Sequence, residues 1–237
     1  MVINIDLLFE KPEKDINTLI DIEPLAPLSM VSYMPGSYYR TEEIPTKHNL
    51  CGLFENILGW HFSEKDRKAI LKRLEKNYRK KFGIKFSYKT INSAASGYIP
   101  LVEHLFGIEN PNFFKPSIEH FDDLWTQLLY RDGYSHAKGT MNLSYELIQE
   151  KNRLPKEENG TISNDEIGKF FNNNKDKYPF FYSAPRVREF LLIKGSYKFK
   201  LKINKHLLGA LKECLLENNI GYLGTSEGWV NTNFLEL

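Results

Sequence analysis

The sequence predicts an α+β protein with an antiparallel sheet. Residues from Tyr197 to Ile203 alternate strictly between apolar and lysine side chains, which is typical of a half-buried strand. Several other segments carry apolar residues three and four positions apart, the stripe of a helix packed on one face. At 237 residues, 41% hydrophobic and 26% charged, the chain has the composition of an ordinary soluble globular protein with a substantial core.

The first half begins with a weakly alternating segment, Val2 to Phe9, which predicts a strand. Residues 11–35 hold four prolines and predict loop or edge structure. A helix follows with Thr46 or Asn49 as its N-cap. Its apolar stripe comprises Leu50, Leu53, Phe54, Ile57 and Leu58.

A second helix is predicted from Ser63, with apolar residues inward and lysines and arginines outward. Residues 84–88 alternate as a short strand, and the apolar spacing after Ser117 predicts a third helix. From about 131 to 176 the chain turns polar, which predicts a long protruding insertion with some helix at 143–151.

The last sixty residues give the clearest pattern. Val187 to Ile193 predicts a strand joined to the strand 197–203 by a type II′ hairpin turn at Gly195. Asn204 is placed to cap a helix, after which a glycine-rich turn at 221–228 leads to a final strand at 229–237.

This order of elements matches the β-α-β-β-α-β plan of a ferredoxin-like (RRM-like) fold. We therefore predict one domain over residues 1–237, with a large helical and loop insertion at about 63–180. The two helices would cover one face of the sheet and leave the other face for a ligand or partner.

Several classes of protein are disfavoured. The two cysteines, Cys51 and Cys214, form no CxxC pair, which argues against a disulfide framework or a zinc site and fits the cytoplasm. The first fifteen residues do not resemble a signal peptide, and no apolar run approaches the 18 residues of a membrane span. The six histidines lack metal-ligand spacing and no catalytic signature is present, so we expect no metal and no cofactor.

Charge is strongly segregated. The net charge is +2, but residues 65–85 sum to +8 and residues 185–205 sum to +6, which leaves −12 for the rest of the chain. Such segregation favours a polyanionic partner on one side. The alternative is that both basic segments are simply solvated faces.

The candidate binding residues carry ring faces or cationic donors. In one loop, Tyr38 and Tyr39 can stack on bases, and Arg40, Lys47 and His48 can bind phosphates. Arg186 and Arg188 lie on one face of their strand and can follow a phosphate backbone. For the tyrosines, the alternative is one core and one surface residue; for the glycines at 221, 224 and 228, it is a strained turn rather than a phosphate cradle.

Two motifs at opposite ends of the chain resemble the CRISPR-associated Cas-five family of the RAMP superfamily. The first contains Ser37-Tyr38-Tyr39-Arg40, then Pro45-Thr46, then the helix from Leu50 to Trp60 with its Gly-Leu and Leu-Gly pairs. The second is Tyr222-Leu223-Gly224-Thr225-Ser226-Glu227, similar to the family's Tyr-Leu-Gly-x-Ser-Glu turn. Together they cover about 60 residues, and the central insertion matches nothing specific.

The resemblance implies a non-catalytic RNA-binding subunit of a type I Cascade complex in antiviral defence. Such a subunit holds the 5′ handle of the CRISPR RNA and caps the backbone filament. Its implied partners are the CRISPR RNA, the backbone and large subunits and, through the complex, target DNA, with no membrane. A thumb would lie at 131–152 and contribute Arg131, His136 and Lys138 to RNA binding.

Two alternatives stay open. One branch of the family cleaves precursor RNA without a metal, and Tyr39, Lys47 and His48 have the chemistry for this. The adjacent Lys-His pair in mid-chain that this branch implies is absent; His136 and Lys138 come closest. The other alternative is a module that serves only protein assembly.

Overall fold

The computed structural model describes residues 5–33, 38–85, 98–130, 144–178 and 181–236. The strands are β1 (Ile16–Pro24), β2 (Val31–Tyr33), β3 (Tyr38–Thr41), β4 (Phe106–Phe114), β5 (Ser117–Tyr130), β6 (Phe181–Lys194), β7 (Tyr197–Ile203), β8 (Ile220–Tyr222) and β9 (Trp229–Leu235). The α-helices are α1 (Lys47–Ile57), α2 (Glu64–Phe82), α3 (Tyr145–Asn152), α4 (Asn164–Asn173) and α5 (Lys205–Glu217). The predicted α+β class is confirmed.

The main sheet has the strand order β4-β7-β1-β9-β8, and its neighbouring strands are antiparallel. β7 has the predicted alternation, with Tyr197, Phe199, Leu201 and Ile203 buried. Its outward lysines are not a bare cationic row. Lys198 pairs with Asp21 at 3.5 Å and Lys200 with Glu109 at 3.3 Å, so two of the three charges are already partly neutralised within the sheet.

Two predicted helices, α1 and α5, supply much of the core. Leu50, Leu53 and Phe54 of α1 are fully buried, as are Leu207 and Leu211 of α5. The Phe54 ring meets the Phe106 ring edge to face, with centroids 4.9 Å apart. Burying each of these side chains stabilises the fold by about 1.5–3 kcal/mol, so the apolar stripe fixes α1 in place.

A second sheet has the order β2-β3-β6-β5. β3 runs parallel to β6, with Tyr38 opposite Val187 and Tyr39 opposite Arg188. The predicted hairpin between 187–193 and 197–203 is therefore wrong. Both strands exist, but β6 belongs to this second sheet and β7 to the main one; Gly195, with φ of 104°, lies in the turn between them.

Three other predictions of elements need correction. Asp6–Phe9 is a 3-10 helix, and the first strand is β1, a central strand inside the segment whose prolines predict loop or edge structure. The segment after Ser117 is strand β5 and not a helix. The predicted strand at 84–88 falls mostly outside the described residues, and positions 84 and 85 are not strand.

The chain divides into two compact units, residues 1–123 with 187–237 and residues 124–186. The second unit contains α3 and α4, so the stretch predicted as a polar insertion folds in part around its own apolar cluster. That cluster comprises Leu147, Ile167, Phe170, Phe171 and Tyr178. Within the described ranges, no helix has the length and apolar character needed to cross a membrane.

Candidate functional site

The larger unit contains a cleft of about 730 Å³. It is bounded by the start of α1, the segment between α1 and α2, strands β3 and β6, and the glycine-rich turn before β9. The side chains that give it chemical character are Tyr39, His48, Asn49, Arg188, Tyr222 and Thr225. The two sequence motifs from opposite ends of the chain thus meet at one surface.

One wall of the cleft is a cation stacked on a ring. Because Tyr39 and Arg188 are register partners in parallel strands, their side chains stand side by side, and the Arg188 guanidinium carbon lies 5.0 Å from the Tyr39 ring centroid. Arg188 is only 6% exposed. Burial lowers the pKa of Arg188, opposed by the charges of Glu227 and Tyr39. Arginine nevertheless keeps its proton in proteins, so the wall remains cationic.

Tyr38 does not line this cleft. Successive strand residues point to opposite faces, and the Tyr38 hydroxyl donates a hydrogen bond of 2.8 Å to Asp122 Oδ1. That bond raises the pKa of Tyr38. Arg40, two residues after Tyr38 in β3, is exposed on the strand and also does not line the cleft.

The start of α1 is held by a capping box. The Thr46 hydroxyl accepts from the Asn49 N–H at 3.3 Å, and Asn49 Oδ1 accepts from the Thr46 N–H at 2.9 Å. The capping box fixes the first turn of α1, which carries His48. The His48 ring meets the Tyr98 ring edge to face, with centroids 5.0 Å apart. Burial lowers the pKa of His48, against the opposing charge of Glu103, so the imidazole is neutral at pH 7. No described residue forms a hydrogen bond with its buried Nδ1.

Lys47 points away from His48, since the side chains of consecutive helical residues are rotated by about 100° around the helix axis. Its Nζ lies 5.3 Å from the Phe106 ring centroid, and Lys47 does not line the cleft. The suggested set Tyr39, Lys47 and His48 is therefore not brought together. Of the other candidates, Arg131, His136 and Lys138 lie outside the described residues, as does the side chain of Arg186 in β6.

The glycine-rich turn is shaped by close packing. Gly224 has φ of 82°, and a Cβ there would lie 2.4 Å from the backbone oxygen of Ser29. A Cβ on Gly221 would lie 2.8 Å from Leu53 Cδ1. The turn is held to α1 by the Tyr222 N–H, which donates to Asn56 Oδ1 at 3.2 Å. These contacts favour the strained-turn interpretation over a phosphate cradle.

A buried ionic network that the sequence analysis missed supports the floor of the cleft. Glu55 and Arg67 form an ion pair, and both residues line the cleft while being almost completely buried. The helix pattern predicts Arg67 as an outward cation, but its guanidinium is buried and donates to the backbone oxygens of Trp60 and Ile99 at 3.0 and 3.1 Å. The sequence signal for this buried ion pair is Glu55, a charged residue among the apolar residues of the buried face of α1.

The fold and the cleft define an α+β protein with a concave site of aromatic and cationic side chains. Among the described residues, no three histidine, cysteine, aspartate or glutamate side chains are placed to hold a metal ion. The model of the family CRISPR-associated protein Cas5p matches residues 3–234, and the chain belongs to that family.

Comparison with solved structures gives a weak likeness. A chain of "Cryo-EM structure of the Type III-B Cmr-beta bound to cognate target RNA and AMPPnP, state 1" is 14% identical, with a TM-score of 0.30. The match covers 92% of this chain and 62% of that chain. No curated protein matches the sequence.

Proposed function

We propose that this protein is a non-catalytic RNA-binding subunit of a CRISPR effector complex of the type I (Cascade) class. It holds the 5′ handle of the CRISPR RNA and caps the backbone filament. Membership of the Cas5p family supports the CRISPR role. The observation that carries the RNA-binding part is the cleft, which the stacked pair of Tyr39 and Arg188 lines together with His48 and Tyr222.

The chemistry of the cleft suits unpaired nucleotides. Tyr39 is partly exposed and offers a ring on which a base can stack, a contact worth about 1–3 kcal/mol per base. Arg188 supplies a fixed positive charge for a phosphate beside that ring. Neutral His48 and the Asn49 amide add hydrogen-bonding groups without adding charge.

The wider assignment follows the family resemblance. In this proposal the strands β1, β4, β7 and β9 with α1 and α5 make up a RAMP-type ferredoxin-like domain. The family's thumb is assigned to residues 131–152, of which 131–143 lie outside the described residues, and backbone and large subunits are the protein partners in the cytoplasm. The order β4-β7-β1-β9 of the main sheet supports the ferredoxin-like plan.

Binding of repeat-derived handle RNA to the full chain tests the proposal. Fluorescence anisotropy should show tighter binding of handle RNA than of a scrambled RNA. Tyr39→Ala should weaken binding by about 5- to 150-fold, the equivalent of one lost stack, whereas Tyr39→Phe keeps the ring and most of the affinity. Phe114→Ala, which removes a 52% exposed ring outside the cleft, is the matched control. Equal affinity for both RNAs, or no effect of Tyr39→Ala, contradicts the proposal.

A further inference from the structure

Helix α2 presents one face to the core and a second, strongly basic face to solvent. Its buried residues are Arg67, Ile70, Leu71, Leu74 and Tyr78. At about 100° per residue, the cations on the opposite side fall within an arc of about 140°. They are Lys65, Lys68, Lys72, Arg73, Lys76, Arg79 and Lys80, all of them exposed.

Ion pairs within the helix occupy only one margin of this face. Glu64 binds Lys68 at 2.5 Å, and Glu75 binds Arg79 at 3.5 Å, both across one helical turn. Four lysines outside these ion pairs, Lys65, Lys72, Lys76 and Lys80, form a row that covers about 80° of the helix circumference. No acidic residue in the described ranges lies within ion-pair distance of these four lysines, so their charges are available to an external partner.

The row is long enough to follow a polyanion. With a rise of about 1.5 Å per residue, it extends for about 22 Å along the helix axis. Ser63 caps the helix start by accepting from the Asp66 N–H at 3.2 Å, and Gly83 ends the helix with φ of 66°. The row is therefore carried by a rigid element with defined ends.

Helix α2 itself contributes no exposed ring on which a base could stack, and the nearby Phe9 ring is already covered by the Arg73 guanidinium, 5.4 Å from its centroid. The exposed residues of α2 are glutamate, aspartate, lysine, arginine and alanine, without an aromatic side chain. Binding of unpaired strands combines a basic groove with aromatic stacking, whereas contacts to a duplex backbone need only cations and hydrogen-bond donors. The composition thus separates this face from the cleft, where rings and cations occur together.

We propose that the exposed face of α2 binds the phosphate backbone of double-stranded nucleic acid without reading its sequence. The four lysines of the row approach phosphates of the duplex and release their counterions. Lys68 and Arg79, which form ion pairs within the helix, lie at one edge of this face. The inference does not depend on the cleft, since it uses different side chains and a different form of nucleic acid.

The salt dependence of duplex binding tests this inference. We expect the full chain to bind a mixed-sequence DNA duplex with a slope of log K against log salt steeper by about 3–4 than in K65Q/K72Q/K76Q/K80Q. Four contacts correspond to a loss of affinity of about 150-fold between 50 and 200 mM salt. Glutamine keeps the helix propensity of lysine, so the variant retains the helix, which circular dichroism verifies.

A second quadruple variant controls for net charge. Lys156, Lys169, Lys175 and Lys177 are exposed lysines of the smaller unit, and K156Q/K169Q/K175Q/K177Q removes the same four charges. It should keep the wild-type slope. Equal losses in the two variants, an unchanged slope in the α2 variant, or tighter binding of polyglutamate than of duplex DNA would each overturn the inference.

Handle RNA separates this inference from the proposed function. The α2 variant should still bind handle RNA through the cleft, and Tyr39→Ala should still bind duplex DNA with the wild-type slope. If handle RNA does not bind but the slope of duplex binding changes as expected, the cleft proposal is wrong and the α2 inference stands. If handle RNA binds as expected but the slope of duplex binding does not change in the α2 variant, the α2 inference is wrong and the cleft proposal stands.

Discussion

Glu55 and Arg67, which both line the cleft, form an ion pair that joins α1 to α2, with side-chain exposures of 2% and 7%. The other carboxylate oxygen of Glu55 accepts from the Leu101 N–H at 2.5 Å and the Val102 N–H at 3.3 Å. Burial raises the pKa of Glu55, while Arg67 and the Leu101 N–H oppose the rise by stabilising the carboxylate. One glutamate therefore ties two helices and the segment before β4 together.

Glu55→Gln should lower the free energy of unfolding by about 3–5 kcal/mol, because it leaves a buried guanidinium without its counter-charge. Chemical denaturation measures the loss. Glu64→Gln is the matched control, since Glu64 also forms an ion pair, with Lys68 in α2, but its side chain is 55% exposed. This substitution should lower the free energy of unfolding by less than about 0.5 kcal/mol. Equal effects of the two substitutions would show that the buried pair has no special role.

Gly224→Ala should lower the free energy of unfolding by at least about 2 kcal/mol and weaken ligand binding in the cleft. The methyl group meets the Ser29 backbone oxygen, and alanine disfavours the positive φ of this position. Gly209→Ala is the control, because Gly209 is exposed in α5 with no atom within 4 Å of an added Cβ. That change should stabilise the protein by about 0.5–1 kcal/mol. Thermal and urea unfolding compare the two.

Stability should fall between pH 7 and pH 5 through His104. Burial, assisted by the charges of Lys14 and Lys47, lowers the pKa of His104 from its ordinary 6.5 to about 3. As pH falls, the unfolded chain therefore takes up a proton before the folded chain does, and the folded state loses up to about 2 kcal/mol over this interval. The loss continues until the pH reaches the folded pKa.

His104→Gln should remove this part of the pH dependence, as measured by urea unfolding at pH 5, 6 and 7. Glutamine retains a donor for the Tyr78 hydroxyl, which lies 2.9 Å from His104 Nε2. The exposed His61 provides the comparison: His61→Gln should leave the slope of stability against pH as in the wild type. An unaltered slope in His104→Gln would contradict the assignment.

Repeat RNA should remain intact when it is incubated with the protein in EDTA. Metal-free cleavage needs a base, an acid and a stabilising cation at one phosphate, and Lys47 lies apart from the cleft that Tyr39 and His48 line. Denaturing gels follow the RNA. Cleavage that disappears in His48→Ala would instead establish the ribonuclease alternative.

The sequence predicted secondary structure best in segments whose apolar residues repeat with the helical period of 3.6 residues. The stripes from Leu50 and Leu71, together with the caps Thr46, Ser63 and Asn204, predicted α1, α2 and α5 because local capping and a single buried face determine such helices. β1 was missed because the four prolines of residues 11–35 suggested loop or edge structure. Pro24 is its last residue, and the alternation of Thr18, Ile20 and Ile22 was the usable signal.

Other features depend on distant contacts. The apolar spacing of β5 fits a helix as well as a strand, and only pairing decides between them. The separation of β6 from β7 likewise follows from their partners, since a strong turn at Gly195 does not dictate pairing across it. Tyr39 and Arg188 were both predicted as binding residues, but their stacking requires the parallel register of β3 and β6.

The central position of β1 has a consequence for folding. This strand, at residues 16–24, pairs with β7 at 197–203 on one side and with β9 at 229–235 on the other. Both partners are synthesised long after β1, so the main sheet has a high contact order. Closing these long loops costs conformational entropy before the strand pairing can stabilise the sheet. Helix α2 can form early from local contacts, whereas the sheet is complete only after β9 has been synthesised. Until then β1 exposes two unpaired edges, which makes the nascent chain vulnerable to aggregation.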